Sequence, residues 1–229
     1  SPGRLGTMGT ITTPMEPDMN TSRRLFALGL IAAAAFSTTA QAWSWSNNSE
    51  RINGNGDIAT EARDTGAFDA VATAGGFNIV IRQGAGNKVE VKADRNLLPY
   101  IETKVVDSGK GRTLQVEPKK GVSINTSTNP SLTIEMPALR AVSVAGSGSI
   151  KVEAMKTAGV DAAIAGSGDI RFANLDAERL GMKVSGSGDI VAAGRCGTAN
   201  VSIAGSGDVK AADLVTEDVK VTIAGSGDA

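Results

Sequence analysis

Four aspartates, Asp169, Asp189, Asp208 and Asp228, each close a Gly-Ser-Gly-Asp motif, and an earlier fifth motif ends in Ser149 instead. Carboxylates and hydroxyls recurring at near-constant spacing are the clearest chemical groups in the chain, and two chemistries use them. A row of carboxylates beside hydroxyls can hold a hard cation such as calcium through oxygen ligands. A pair of carboxylates about 5 to 9.5 Å apart in a cleft can serve as acid and base on a glycosidic bond. Neither fits the pattern closely. Gly/Asp-rich calcium repeats have a nine-residue period, which differs from this one, and a catalytic centre should interrupt a uniform row, whereas no motif here carries a special insertion. The expected role is structural. Each Asp caps its own Gly turn through backbone N–H groups, with Arg171 and Lys210 two residues on to relieve the charge. A calcium ladder over the four aspartates stays as the alternative, and no other cofactor is expected.

Composition removes further chemistry. The 229 residues include no His, so Ser-His-Asp and Cys-His catalysis and His-ligated zinc are excluded. Lys and Arg number 23 against 24 Asp and Glu, a formal net charge of -1, which offers no basic field for a nucleic acid. Cys196 is the single cysteine, so no internal disulfide can form. It sits in the return segment of the shortest repeat, near the positions of Leu175 and Leu214, and reads as a buried, inert thiol. Aromatic platforms for stacking sugars are scarce, since beyond residue 137 only Phe172 is aromatic.

The elements that must position these groups follow from the repeat. The motifs are Ala145–Ser149, Ala165–Asp169, Ser185–Asp189, Ala204–Asp208 and Ala224–Asp228, with first glycines 20, 20, 19 and 20 residues apart. Before each motif every second residue is apolar: Val142 and Val144, Ala162 and Ile164, Met182 and Val184, Val201 and Ile203, Val221 and Ile223. After it come Ile150, Ile170, Ile190 and Val209. A period of two is that of a strand. Units of about 20 residues are too short for a strand with a covering helix, so the expected fold is all-β, a parallel β-helix or solenoid of about 20-residue coils with an N-terminal β cap. The structural turn residues are Gly146, Gly148, Gly166, Gly168, Gly186, Gly188, Gly205, Gly207, Gly225 and Gly227. They either take a positive φ at a corner or point inward where no side chain fits. Stacking would align Ser147, Ser167, Ser187, Ser206 and Ser226 in an outward ladder beside the aspartates.

Upstream, strands are expected at Phe68–Thr73, Phe77–Arg82, Val89–Ala93, Thr103–Val106, Thr113–Glu117, Val122–Asn125 and Leu132–Met136, with a helical turn within Asn96–Ile101. Residues 19–42 read as a signal peptide, with Arg23 and Arg24, an apolar run from Leu25 to Phe36, and a small-x-small cleavage site at Ala40 and Ala42. The apolar run is shorter than the roughly 20 residues that span a bilayer. Residues 1–18 are an upstream extension or a remnant of expression, 43–65 a flexible polar leader, and 66–229 the β-helical domain. That domain divides into opening coils and cap over 66–140 and the motif region over 141–229. The chain stops at Ala229 in mid-coil, so further C-terminal sequence is expected.

From about Phe68 onward the chain resembles a bacterial family of unknown function, the putative auto-transporter adhesin head GIN domain. The resemblance rests on Phe68-Asp69-Ala70-Val71, Gly76-Phe77-Asn78-Ile79-Val80-Ile81, Val89-Glu90-Val91, Asn96-Leu97-Leu98 and the five motifs. It implies a right-handed β-helix at the surface or in the envelope, a role in adhesion and no enzymatic residues. The expected function is therefore an exported, non-enzymatic binding module, located in the periplasm, at the cell surface or outside the cell. It would present a repetitive Ser/Asp face to a surface, envelope or polysaccharide partner, with no transmembrane segment in the mature chain and with oligomers compatible with its repeats. A β-helical polysaccharide lyase or hydrolase, or a purely structural spacer, are the competing readings.

Overall fold

Alternating apolar side chains produce strands wherever one face is buried, and the computed structural model shows this over the residues it describes, 49–107 and 111–229. The expected extension, the signal segment with Ala40 and Ala42, and residues 43–48 of the leader lie outside the described residues. Strands β1 (Glu50–Asn53) and β2 (Ile58–Arg63) come first, then β3 (Ala70–Ala74), β4 (Asn78–Gln83) and β5 (Lys88–Asp94). A 3-10 turn at Leu98–Tyr100, where Pro99 removes a ladder donor, leads into β6 (Ile101–Asp107). Next are β7 (Arg112–Pro118), β8 (Val122–Asn125) and β9 (Ser131–Met136). The motif region supplies β10 (Ala141–Gly146), β11 (Ser149–Gly166), β12 (Asp169–Gly186), β13 (Ile190–Gly205), β14 (Val209–Lys210) and β15 (Leu214–Gly225). The upstream strands and the helical turn thus stand within a few residues of where alternation and turn residues put them. The leader differs from expectation, because β1 and β2 fall within it.

The expected parallel β-helix is corrected. Among the described residues, thirteen strands form one mixed, nearly closed, barrel-like sheet, and β1 pairs separately with β8. Within the large sheet β2 runs antiparallel to β5, β5 antiparallel to β9, and β6 antiparallel to β7. Short segments joined by tight turns can reverse direction, whereas parallel neighbours need a long crossover. The four residues between β4 and β5 reverse the chain, and β9 inserts between those two strands, parallel to one and antiparallel to the other. The strands of residues 66–140 other than β8 consequently belong to the same sheet as the motif region.

In the motif region the pairing is parallel and follows the sequence period, with Ile150 beside Ile170, Ile170 beside Ile190 and Ile190 beside Val209. Strand β11 also closes the sheet: its start pairs with β4 and its end with β10. The inward side chains make a hydrophobic cluster running from Phe68 to Val209, with Phe172, Ile79, Ile81, Leu114, Leu132 and Ile150 fully buried. Each such side chain contributes roughly 1.5–3 kcal/mol. Cys196 belongs to this core at 6% exposure, but its parallel neighbours are Ala177 and Thr216. Gly194 takes the place beside Leu175 and Leu214, because the shorter repeat shifts register after Phe172.

Candidate functional site

The motifs make one corner of the sheet, and their two glycines do different work. Gly166 sits at φ +127°, a conformation that L side chains rarely adopt, and its counterparts in the other motifs also have positive φ. Gly168 has no such φ but is buried. A Cβ there would overlap the carbonyl oxygen of Gly148 and Cγ1 of Val144, so the close approach of successive motifs excludes a side chain. Gly148, Gly188, Gly207 and Gly227 are buried in the same way. Between the glycines the serine N–H groups donate to the first glycine carbonyl of the preceding motif, Ser167 to Gly146, Ser187 to Gly166 and Ser226 to Gly205, each at 2.9 Å. Ser147, Ser167, Ser187, Ser206 and Ser226 are all exposed, so their hydroxyls form a row with a fixed backbone.

The aspartates stack beside that row, and Asp169, Asp189 and Asp208 each accept from the motif after them rather than capping their own turns. The amide of Asp189 donates to Oδ1 of Asp169 at 3.2 Å, that of Asp208 to Oδ1 of Asp189 at 3.0 Å, and that of Asp228 to Oδ1 of Asp208 at 3.1 Å. Lys210 Nζ completes the arrangement at 2.9 Å from Oδ2 of Asp189 and 3.8 Å from Oδ2 of Asp208. The Lys210 ammonium, and after it the Asp208 amide, hold the Asp189 carboxyl below the usual carboxylate range. Parallel strands lie about 4.8 Å apart, where like charges in water repel by roughly 1 kcal/mol. The N–H donors and Lys210 offset that repulsion. Among the described residues, no group of three or more His, Cys, Asp or Glu side chains is placed to hold a metal ion. Arg171, the other expected neutralising residue, stands between Lys151 and Val191 in the column that continues to Lys210.

Two ion pairs of the same period are absent from the sequence-based expectation. Arg179 Nη1 stands 2.7 Å from Asp161, and Arg195 Nη2 stands 2.7 Å from Asp176, which holds the Asp176 carboxyl down. Their spacings of 18 and 19 residues are the signal that could have found them. Each pair borders an open surface depression, of about 450 Å³ around Asp161 and about 490 Å³ around Asp176. Neither depression contains a second carboxylate, so neither offers the acid and base that glycosidic cleavage requires.

The structure defines an all-β class of protein, with one mixed, nearly closed sheet and rows of small polar side chains along a glycine corner. The chain belongs to the family described as "Putative auto-transporter adhesin, head GIN domain", whose model matches residues 67–229. Among solved structures, a putative adhesin from Bacteroides fragilis NCTC 9343 is similar at 22% identity, covering 77% of this chain and 80% of that one, with a TM-score of 0.68. A putative adhesin from Parabacteroides merdae ATCC 43184 is similar at 22% identity over 78% of this chain and 82% of its own, with a TM-score of 0.59. A putative lipid binding protein from Parabacteroides distasonis ATCC 8503 matches at 22% identity over 79% of this chain and all of its own, with a TM-score of 0.55. These likenesses show the fold. No curated protein matches the chain. Among the described residues no helix is long and apolar enough to cross a membrane.

Proposed function

We propose that the chain is an exported, non-enzymatic binding module that meets an envelope or polysaccharide partner through the serine row of its glycine corner. The family's adhesin description and the adhesin-like relatives support a binding role. The observation that carries the choice of face is the division of labour at the corner: Asp169, Asp189 and Asp208 each have one oxygen engaged by the next motif's amide, with Lys210 on the other oxygen of Asp189, while all five serines are exposed. A row of hydroxyls at strand spacing suits a partner that repeats its own hydroxyl or amide groups, where many weak contacts sum to useful avidity.

The test is a binding assay of the full chain against bacterial envelope fractions and purified polysaccharides, counting both bound protein and released sugar ends. Saturable binding that weakens when Ser167, Ser187 and Ser206 are changed together to Val, with no sugar released, is the expected result. Release of sugar ends would replace this reading with an enzymatic one. Binding indifferent to the serine substitutions would move the contact to another face.

A further inference from the structure

Residues 50–63 precede the family-matched region, yet they are paired with it at two edges. Strand β1 lies parallel to β8, from Glu50 beside Val122 to Asn53 beside Asn125, and β2 lies antiparallel to the outer edge of β5, from Ile58 beside Asp94 to Arg63 beside Val89. Little apolar area holds them there. All of β1 except Ile52 is exposed, and in β2 only Ala59 and Arg63 are half-buried. The segment joining them is instead gathered on one carboxylate. Asp94, only 3% exposed, accepts the Gly56 amide on Oδ1 at 2.5 Å and the Thr126 hydroxyl on Oδ2 at 2.6 Å. A Cβ at Gly54 would overlap the same carboxylate, so the chain passes directly against it. Asn96 reinforces the contact, accepting the Asn55 amide at 3.1 Å and donating to the Asn53 carbonyl at 2.7 Å. Arg63 anchors the far end on the Leu98 carbonyl at 2.8 Å.

A segment with few buried apolar contacts and many hydrogen bonds near solvent opens at a lower free energy than the core it covers. We infer that residues 50–63 are a strap that opens as a unit separate from the core, that Asp94 is its latch, and that opening uncovers the outer edge of β5. This goes beyond the binding role proposed above and does not depend on it. An exposed strand edge is a template for another strand, so the strap is the device that keeps the β5 edge covered until it is released.

The experiment is native-state hydrogen exchange of the full chain, read peptide by peptide. In the unchanged chain, residues 50–63 should exchange well ahead of β12. Asp94→Ala removes a charged acceptor from two donors and should speed exchange of residues 50–63 by about 10- to 100-fold while β12 is unchanged. Thr126→Val, which touches the latch from its rim, should give the same pattern with a smaller, several-fold change, and it guards against a misfolded Asp94→Ala. If either folded variant speeds the strap and β12 equally, the segment opens only with the whole domain and the inference fails. Unchanged strap exchange in both variants would remove Asp94 as the latch.

Discussion

The amide of Asp208 donates to Oδ1 of Asp189 at 3.0 Å, while Lys210 holds the other oxygen of the same carboxylate at 2.9 Å. One aspartate therefore ties its own motif to the next and is itself neutralised from the side. The backbone half of this relation repeats at Asp169 and Asp208, where it offsets the repulsion of like charges one strand apart.

The same relation sets a pH dependence. Asp189 has a folded-state pKa below its ordinary value, so its contribution to stability is present above the unfolded value of about 3.9 and is lost as pH falls through the lower folded value. Asp189→Asn should cost less than about 1 kcal/mol at pH 6, since the pair is partly open to solvent. Urea unfolding of the two chains should then converge as pH falls below the folded value. A difference that persists in acid would locate the effect in packing rather than in the Lys210 pair.

Gly168→Val should destabilise the domain by at least about 3 kcal/mol or prevent folding, because the new side chain meets the Gly148 carbonyl and Val144 inside a closed corner. Gly86→Ala, at a position where an added Cβ would have nothing within 4 Å, should stay within about 0.5 kcal/mol. Thermal unfolding of the two variants side by side checks the pair, and equal effects would remove the close approach as the reason for the second glycine.

Phe172 is the only aromatic beyond residue 137 and is fully buried between Val152 and Ala192 on the neighbouring strands. Phe172→Ala should cost about 3–5 kcal/mol, the range for losing a large core aromatic. A shift in the denaturant midpoint with an unchanged slope is the expected signature.

Cys196 should resist thiol reagents in the folded chain and react fully in denaturant, because its side chain is buried in the core out of reach of the reagent. Counting labelled thiol before and after unfolding tests this. Rapid labelling of the folded chain would place Cys196 outside the core.

Strand positions are legible in the sequence because alternation is a local signal: Val89 and Val91, or Leu132 and Ile134, reveal a buried face wherever their partners lie. Strand direction is not, because alternation reads the same for a parallel and an antiparallel neighbour, and so β5, β6 and their antiparallel partners fit a parallel scheme equally well. The leader hides its strands for a related reason. Residues 50–63 are polar, and their pairing rests on backbone hydrogen bonds and on Asp94, neither of which leaves an apolar pattern. At the corner, both glycines and the aspartate row can be read from the motif, but which amide each carboxylate accepts depends on the stacking of motifs and only the structure shows it.

Strand β3 completes its pairing with β10, some 70 residues further along, and β4 waits equally long for the start of β11. The first half of the domain therefore cannot close its sheet as it is made. Its early strands must stay unpaired on one side until the motif region arrives, a non-local topology that folds slowly. Such a delay keeps the polypeptide threadable for longer after synthesis, which favours any passage that requires an unfolded chain.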